Sequence, residues 1–175
     1  MTTDELAAAV GTAAAHELDS ALNRIQHCLG QVNDEQVWWR PSESMNSMGN
    51  LILHLCGNVR QWIVAGIGGQ QDVRQRPKEF SESGPISKDE LVRKLEFVVK
   101  EAKGALAGIT ARQLLEIRRI QGSDVTGLAA IFDSVPHFRC HTQEIVHMTR
   151  LQLGDRYKFA WTPTTPEQGA PGGEK

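Results

Sequence analysis

Apolar residues recur every three or four positions along four long stretches of this 175-residue chain, the spacing of helices that bury one face. The first stretch opens at a Thr2-x-x-Glu5 capping box and runs to about Gly30, with Leu6, Val10, Ala14, Leu18, Leu22, Ile25 and Leu29 on its apolar side. A second spans about Ser47 to Ile67, carries Leu51, Ile52, Leu55, Val59, Trp62 and Ile63, and stops at Gly66, Gly68 and Gly69. The third, Ser87 to Leu106, begins with a Ser87-x-x-Glu90 box and turns Leu91, Leu95, Val98, Val99 and Ala102 inward. The fourth runs from Asp124 to Gly154, with Pro136 inside it. Pro136 predicts a kink there, or a fresh helix with Ser134 as its N-cap. Together these stretches predict an all-α four-helix bundle, a single domain over residues 1–161. The Pro-, Gly- and Thr-rich residues 162–175 predict a disordered tail.

The connections carry their own signals. Residues 31–46 contain Trp38-Trp39-Arg40-Pro41, where adjacent tryptophans face different sides: one against the bundle and the other toward a pocket or interface, or both capping the end of the core. Residues 68–86 form a long loop between the second and third helices, a length that is often functional. Its Arg74 and Arg76 suit either an anionic substrate group or a structural salt bridge. Thr110-x-x-Gln113 starts a short helix through Leu115, and Ile117 to Gln121 reads as an extended crossing. Tyr157, Phe159 and Trp161 are expected to pack back on the bundle.

Composition bounds the function. A net charge of −2 gives no electrostatic reason to expect nucleic acid or an anionic membrane as partner. The sequence has no apolar run of transmembrane length and no signal-peptide pattern, which makes the cytoplasm the expected compartment. Cys28, Cys56 and Cys140, without a CxxC, fit free thiols in a reducing environment.

Chemistry enters through histidine. His137 and His141 stand one turn apart on one helix face, neighbours at about 5–6 Å between Cβ atoms, a spacing that can grip one metal ion. Glu144 falls within about 20° of His137 on the helical wheel and joins that stripe. On the second helix Ser47, Asn50, His54, Asn58 and Gln61 form a polar stripe without lysine or glutamate. Such a stripe is either a solvated face or the lining of an internal site in which amides orient His54, and the missing Lys and Glu favour the latter. Three neutral imidazoles would leave positions open on a divalent ion, as catalytic sites do. Cys140 lies about 100° from His141 and reads as a small core residue, and His147, about 80° from His137, reads not as a ligand but as a support behind the site or a packing residue. His16 and His27 read as ordinary, partly exposed side chains.

The wording around these histidines, Asn46-Ser47-Met48-Gly49-Asn50-Leu51-Ile52-Leu53-His54-Leu55 and His137-x-x-x-His141, resembles the DinB-like superfamily over roughly Arg24 to Trp161. The resemblance implies metal-dependent bundles in which His54, His137 and His141 are the ligands. It differs in one place, Gln143-Glu144, where members commonly have Gly-Gln, which sets a carboxylate on the site stripe. The expected cofactor is one divalent transition metal, zinc or nickel foremost, with iron, cobalt or manganese as alternatives. Characterised relatives include transferases and isomerases that use low-molecular-weight thiols, so the resemblance implies a thiol-dependent transferase acting on a small molecule, and a homodimer. Generic chemistry offers a hydrolase with Glu144 as base. A non-catalytic metal-binding or stress-related bundle is the third reading.

Overall fold

The computed structural model describes residues 2–84 and 86–162. Four long helices dominate: α1 (Thr3–Leu29), α3 (Met48–Val59), α5 (Lys88–Leu106) and α7 (Gly127–Leu153). Short helices α2 (Asp34–Trp38), α4 (Arg76–Ser81) and α6 (Ala111–Leu115) lie in the connections, with a hairpin of β1 (Ile117–Ile120) and β2 (Ser123–Thr126) before α7. Helix α1 packs on α5 and α7, and α3 packs on the same two, so α1 and α3 occupy diagonal corners of a four-helix bundle. The apolar stripes meet inside: Ile25, Leu51, Leu55, Leu91, Leu95, Phe138 and Ile145 are all fully buried. Among the described residues no helix is long and apolar enough to cross a membrane.

Helix starts follow local capping chemistry. Thr2 and Thr110 form the expected reciprocal boxes with Glu5 and Gln113. Ser87 accepts from the Glu90 backbone N–H without the reciprocal bond, and the Glu90 carboxylate pairs with Lys94 one turn on. Helix α3 has a box not foreseen, in which Asn50 takes the place usually held by Glu or Gln and accepts from the Ser47 backbone.

Several boundaries differ from expectation. After Val59 the second helix changes to a π-helical turn, Arg60–Ala65, with the N–H of Gly66 bonding the carbonyl of Gln61. The loop 68–86 is interrupted by α4, whose first turn holds Pro77, where the missing N–H costs nothing. The fourth helix begins at Gly127, capped by Thr126, and Asp124 belongs to β2, where it pairs with Arg119. Ile117 to Ile120 is extended as expected, but it pairs with Ser123–Thr126 through a two-residue Gln121-Gly122 turn, both at positive φ (50° and 84°).

Helix α7 continues through Pro136, and Ser134 is no N-cap: it lies buried in mid-helix and donates to Asn58 Oδ1 at 2.8 Å. Cys140 is exposed, not a core residue; it follows Phe138 by about 200° on the wheel, and Phe138 marks the core face. Trp38 packs flat against Gly49 and donates to the Ile86 carbonyl at 2.8 Å, while Trp39 faces outward. Of the C-terminal aromatics only Tyr157 is partly buried against the core; Phe159 and Trp161 are exposed. His27 holds the Lys158 carbonyl at 2.6 Å and His16 is exposed; His147 is exposed too, neither packed nor behind the site, because it falls on the outer side of α7. Within the expected tail, residues 163–175 lie outside the described residues.

Candidate metal centre

The polar stripe of the second helix faces inward: Ser47, Asn50, His54 and Asn58 are all buried. Its amides do not touch His54, however. Asn50 Nδ2 donates to the backbone carbonyls of Glu79 (3.0 Å) and Glu82 (2.7 Å), stitching α4 to α3, and Gln61 bonds Arg74 and Asp72. What these bonds achieve is to lay α4 over His54, and α4 delivers the residue that orients the ring. His54 Nδ1 lies 2.9 Å from Glu79 Oε2. Arg74 Nη2 stands 3.1 Å from the same nitrogen while donating to Glu79 Oε2 at 2.9 Å; in the tautomer that gives the Nδ1 proton to the accepting carboxylate, Nε2 presents its lone pair.

That lone pair meets the fourth helix. His54 Nε2 is 2.9 Å from His137 Nε2, and one nitrogen each from His54, His137 and His141 lie within 4.8 Å of one another. The three rings stand nearly perpendicular, at 82°, 90° and 88°, with centroids 4.5–5.2 Å apart. On His141 the outer nitrogen, Nδ1, contacts Glu144 Oε2 at 2.8 Å, which again leaves Nε2 as the free lone pair. Nitrogens sharing an ion at about 2.0–2.1 Å are themselves roughly 3 Å apart or slightly more, so small ring rotations bring this set onto one cation. A carboxylate behind each of two histidines is the usual support of metal-binding imidazole. The residues fit a divalent transition metal.

Electrostatics agree. Burial, and then the neighbouring His141, His54, Arg74 and Arg76, hold His137 down at about 4, so the ring is uncharged at neutral pH. Burial alone would raise Glu79, but hydrogen bonds from Arg74 and His54 outweigh it and keep the carboxyl below its usual value. The Arg74 guanidinium is fully engaged in doing so. Its Nε donates to Glu79 Oε1 (2.7 Å), Nη2 to Oε2 (2.9 Å) and Nη1 to Gln61 (2.9 Å). Of the two uses expected for it, Arg74 takes the structural salt bridge.

These shifts set a pH dependence. An unfolded His137 takes a proton near its ordinary 6.5, whereas the folded one resists until about 4. Stability from this group is therefore complete above about 6.5 and lost as pH falls toward 4, with Glu79 adding loss of the same sign below its ordinary 4.5. Thermal melts of metal-free protein are expected to show Tm falling across that window, and His137→Gln to flatten the fall between 6.5 and 4. An equal slope in the variant would refute the assignment.

Gly57 completes the seat. A Cβ there would overlap Glu79 Oε1 and approach Arg74 Nε to 3.0 Å. Gly57→Ala is expected to push Glu79 off His54 and cost about 1–3 kcal/mol, readable by denaturant melts. A neutral result would show that the carboxylate has room to move.

Beside the histidines opens a small cleft of about 160 Å³, lined by His54, Asn58, Trp62, Arg74, Arg76, Gln121, Asp133 and His137. Sequence spacing singled out His54, His137 and His141, and the structure brings all three together; Glu144 sits behind His141. Glu79, Phe80 and Asp133 were missed. Asp133, one turn before His137, was the legible one.

A profile of proteins of unknown function, DUF1572, matches residues 7–165, most of the chain. The chain belongs to the DUF1572 family. No curated protein matches it. Solved structures similar to this DUF1572 member include a conserved protein of Enterococcus faecalis, with TM-score 0.68, 19% identity, and 82% of this chain and 96% of that one covered. Two others are DinB-like proteins, one of Bacillus cereus (TM-score 0.61, 16% identity, 75% and 85% covered) and one of Bacillus subtilis (0.60, 16%, 79% and 91%). The fold is that of the DinB-like proteins, as the resemblance implied.

Proposed function

We propose that this DUF1572 member is a divalent-metal-dependent enzyme of thiol-transferase type, acting on a small molecule with a low-molecular-weight thiol as cosubstrate. The observation that carries the reading is the convergence of three imidazoles, two of them backed by carboxylates, with His54 and His137 at the wall of a cleft. His54, His137 and His141 would hold the ion. When bound, it supplies Lewis acidity that favours thiolate over thiol, with positions left for substrate. Glu79 and Glu144 fix the two rings through Nδ1, and Arg74 keeps Glu79 ionised. Trp62, donating to Gln121 Oε1 at 3.2 Å, helps close the cleft against water.

Glu144 acts here by holding His141, and the hydrolytic reading, with Glu144 as base, asks that carboxylate to leave the ring it supports. Zinc or nickel suits three imidazoles best among the candidate metals. A homodimer remains part of the proposal, to be read by light scattering.

The test is turnover. Metal-loaded protein should transfer a small thiol to an organic electrophile, and chelator should abolish it. Ester or amide hydrolysis without thiol would favour the alternative chemistry; turnover on neither panel, in protein that binds metal, would favour a non-catalytic bundle.

A further inference from the structure

Resting on the metal-dependent reading, we infer that the cleft selects a ligand bearing a carboxylate and seats that group on Arg76. The two arginines that line the cleft are in different states. Arg74 has a side chain only 4% exposed, and all its nitrogens are engaged by Glu79 and Gln61. Arg76 is exposed, and its guanidinium has no hydrogen bond or ion pair among the described residues. It is nevertheless placed: its Cζ lies 5.0 Å above the Phe80 ring, and that ring lies 5.0 Å from His54 between centroids. Stacking anchors the face of the guanidinium and leaves its edge, the side with paired N–H donors, open. A carboxylate matches that edge with two parallel bonds.

Charge around the cleft points the same way. Arg74 and Glu79 cancel as a pair, which leaves Arg76 on α4 and Asp133 on α7 as the remaining fixed charges of the lining. Asp133 makes its own wall unfavourable to an anion, so among the side chains of the lining Arg76 is the one seat for the ligand's carboxylate. A cleft of about 160 Å³ is smaller than the about 300–1,000 Å³ of drug-sized pockets, which suits a small acid or the acidic end of a longer ligand.

Cobalt(II)-loaded full-length protein tests this without turnover, because thiol binding changes the visible spectrum of the ion. Titration with 3-mercaptopropionate and with 2-mercaptoethanol compares an anionic and a neutral thiol of similar reach. Wild type is expected to prefer the acid about tenfold, a difference of about 1.4 kcal/mol. Arg76→Ala should bring the ratio near one, Arg76→Lys should keep part of it, and Asp133→Asn should raise it. A wild-type ratio near one overturns the inference. So does a preference that survives Arg76→Ala, which would mean the carboxylate reaches the ion directly. Failure of wild type to take up cobalt at all overturns the metal-dependent reading beneath it, a separate and distinguishable result.

Discussion

His54→Ala or His141→Ala is expected to lower bound transition metal from about one ion per chain to near zero, measured by elemental analysis after purification and again after reconstitution. Two imidazoles from the remaining set bind weakly, because each lost ligand removes both a bond and the preorganisation of the others. The folded state should survive His141→Ala, since that ring is only partly buried and α7 is anchored by the fully buried Phe138, Thr142 and Ile145. Circular dichroism on the same samples separates ligand loss from unfolding. If well-folded His54→Ala protein still retained a full complement of metal, the ion would sit elsewhere and the proposed site would be wrong.

The second large effect comes from a residue that would hold no metal. Glu79→Ala is expected to cost about 3–5 kcal/mol, because it strands the Arg74 guanidinium in an interior where its side chain is 4% exposed. For a domain of this size that is a fall in Tm of about 6–20 °C. The same change frees His54 Nδ1, so metal affinity should drop about 10–100-fold. Arg74→Ala combined with Glu79→Ala removes both charges together and should recover much of the stability while leaving the affinity low. That split is the informative result. If the double variant regained metal affinity as well, Glu79 would have mattered to the ring only through bulk folding.

The histidine cluster was legible because it depends on local cues: His137 and His141 are one helical turn apart, His54 sits on a stripe without the residues that solvate a helix, and the wording around both resembles a family that joins them. The four long helices were legible for the same reason. What sequence could not disclose were bonds across distance. Glu79 lies 25 residues from His54, in a segment whose Arg-Pro and Gly-Pro steps read as loop, and it is held at the ring by Arg74 and by Asn50, which binds the Glu79 and Glu82 carbonyls. The hairpin was hidden by its turn, where Gln121 takes a positive φ usually left to Asn, Asp or Gly. Cys140 was misplaced because its angle was measured from the ligands and not from Phe138, which defines the inside of α7.

The carboxylate that orients His54 belongs to a connecting segment, not to the long helices that carry the three histidines. Occupancy of the histidines and docking of residues 68–86 are therefore linked in free energy: whatever one gives to the other is returned in equal measure. With an ion bound, the strap over His54 would act as a clasp on it, and the ion would tighten a stretch of backbone none of whose side chains it touches.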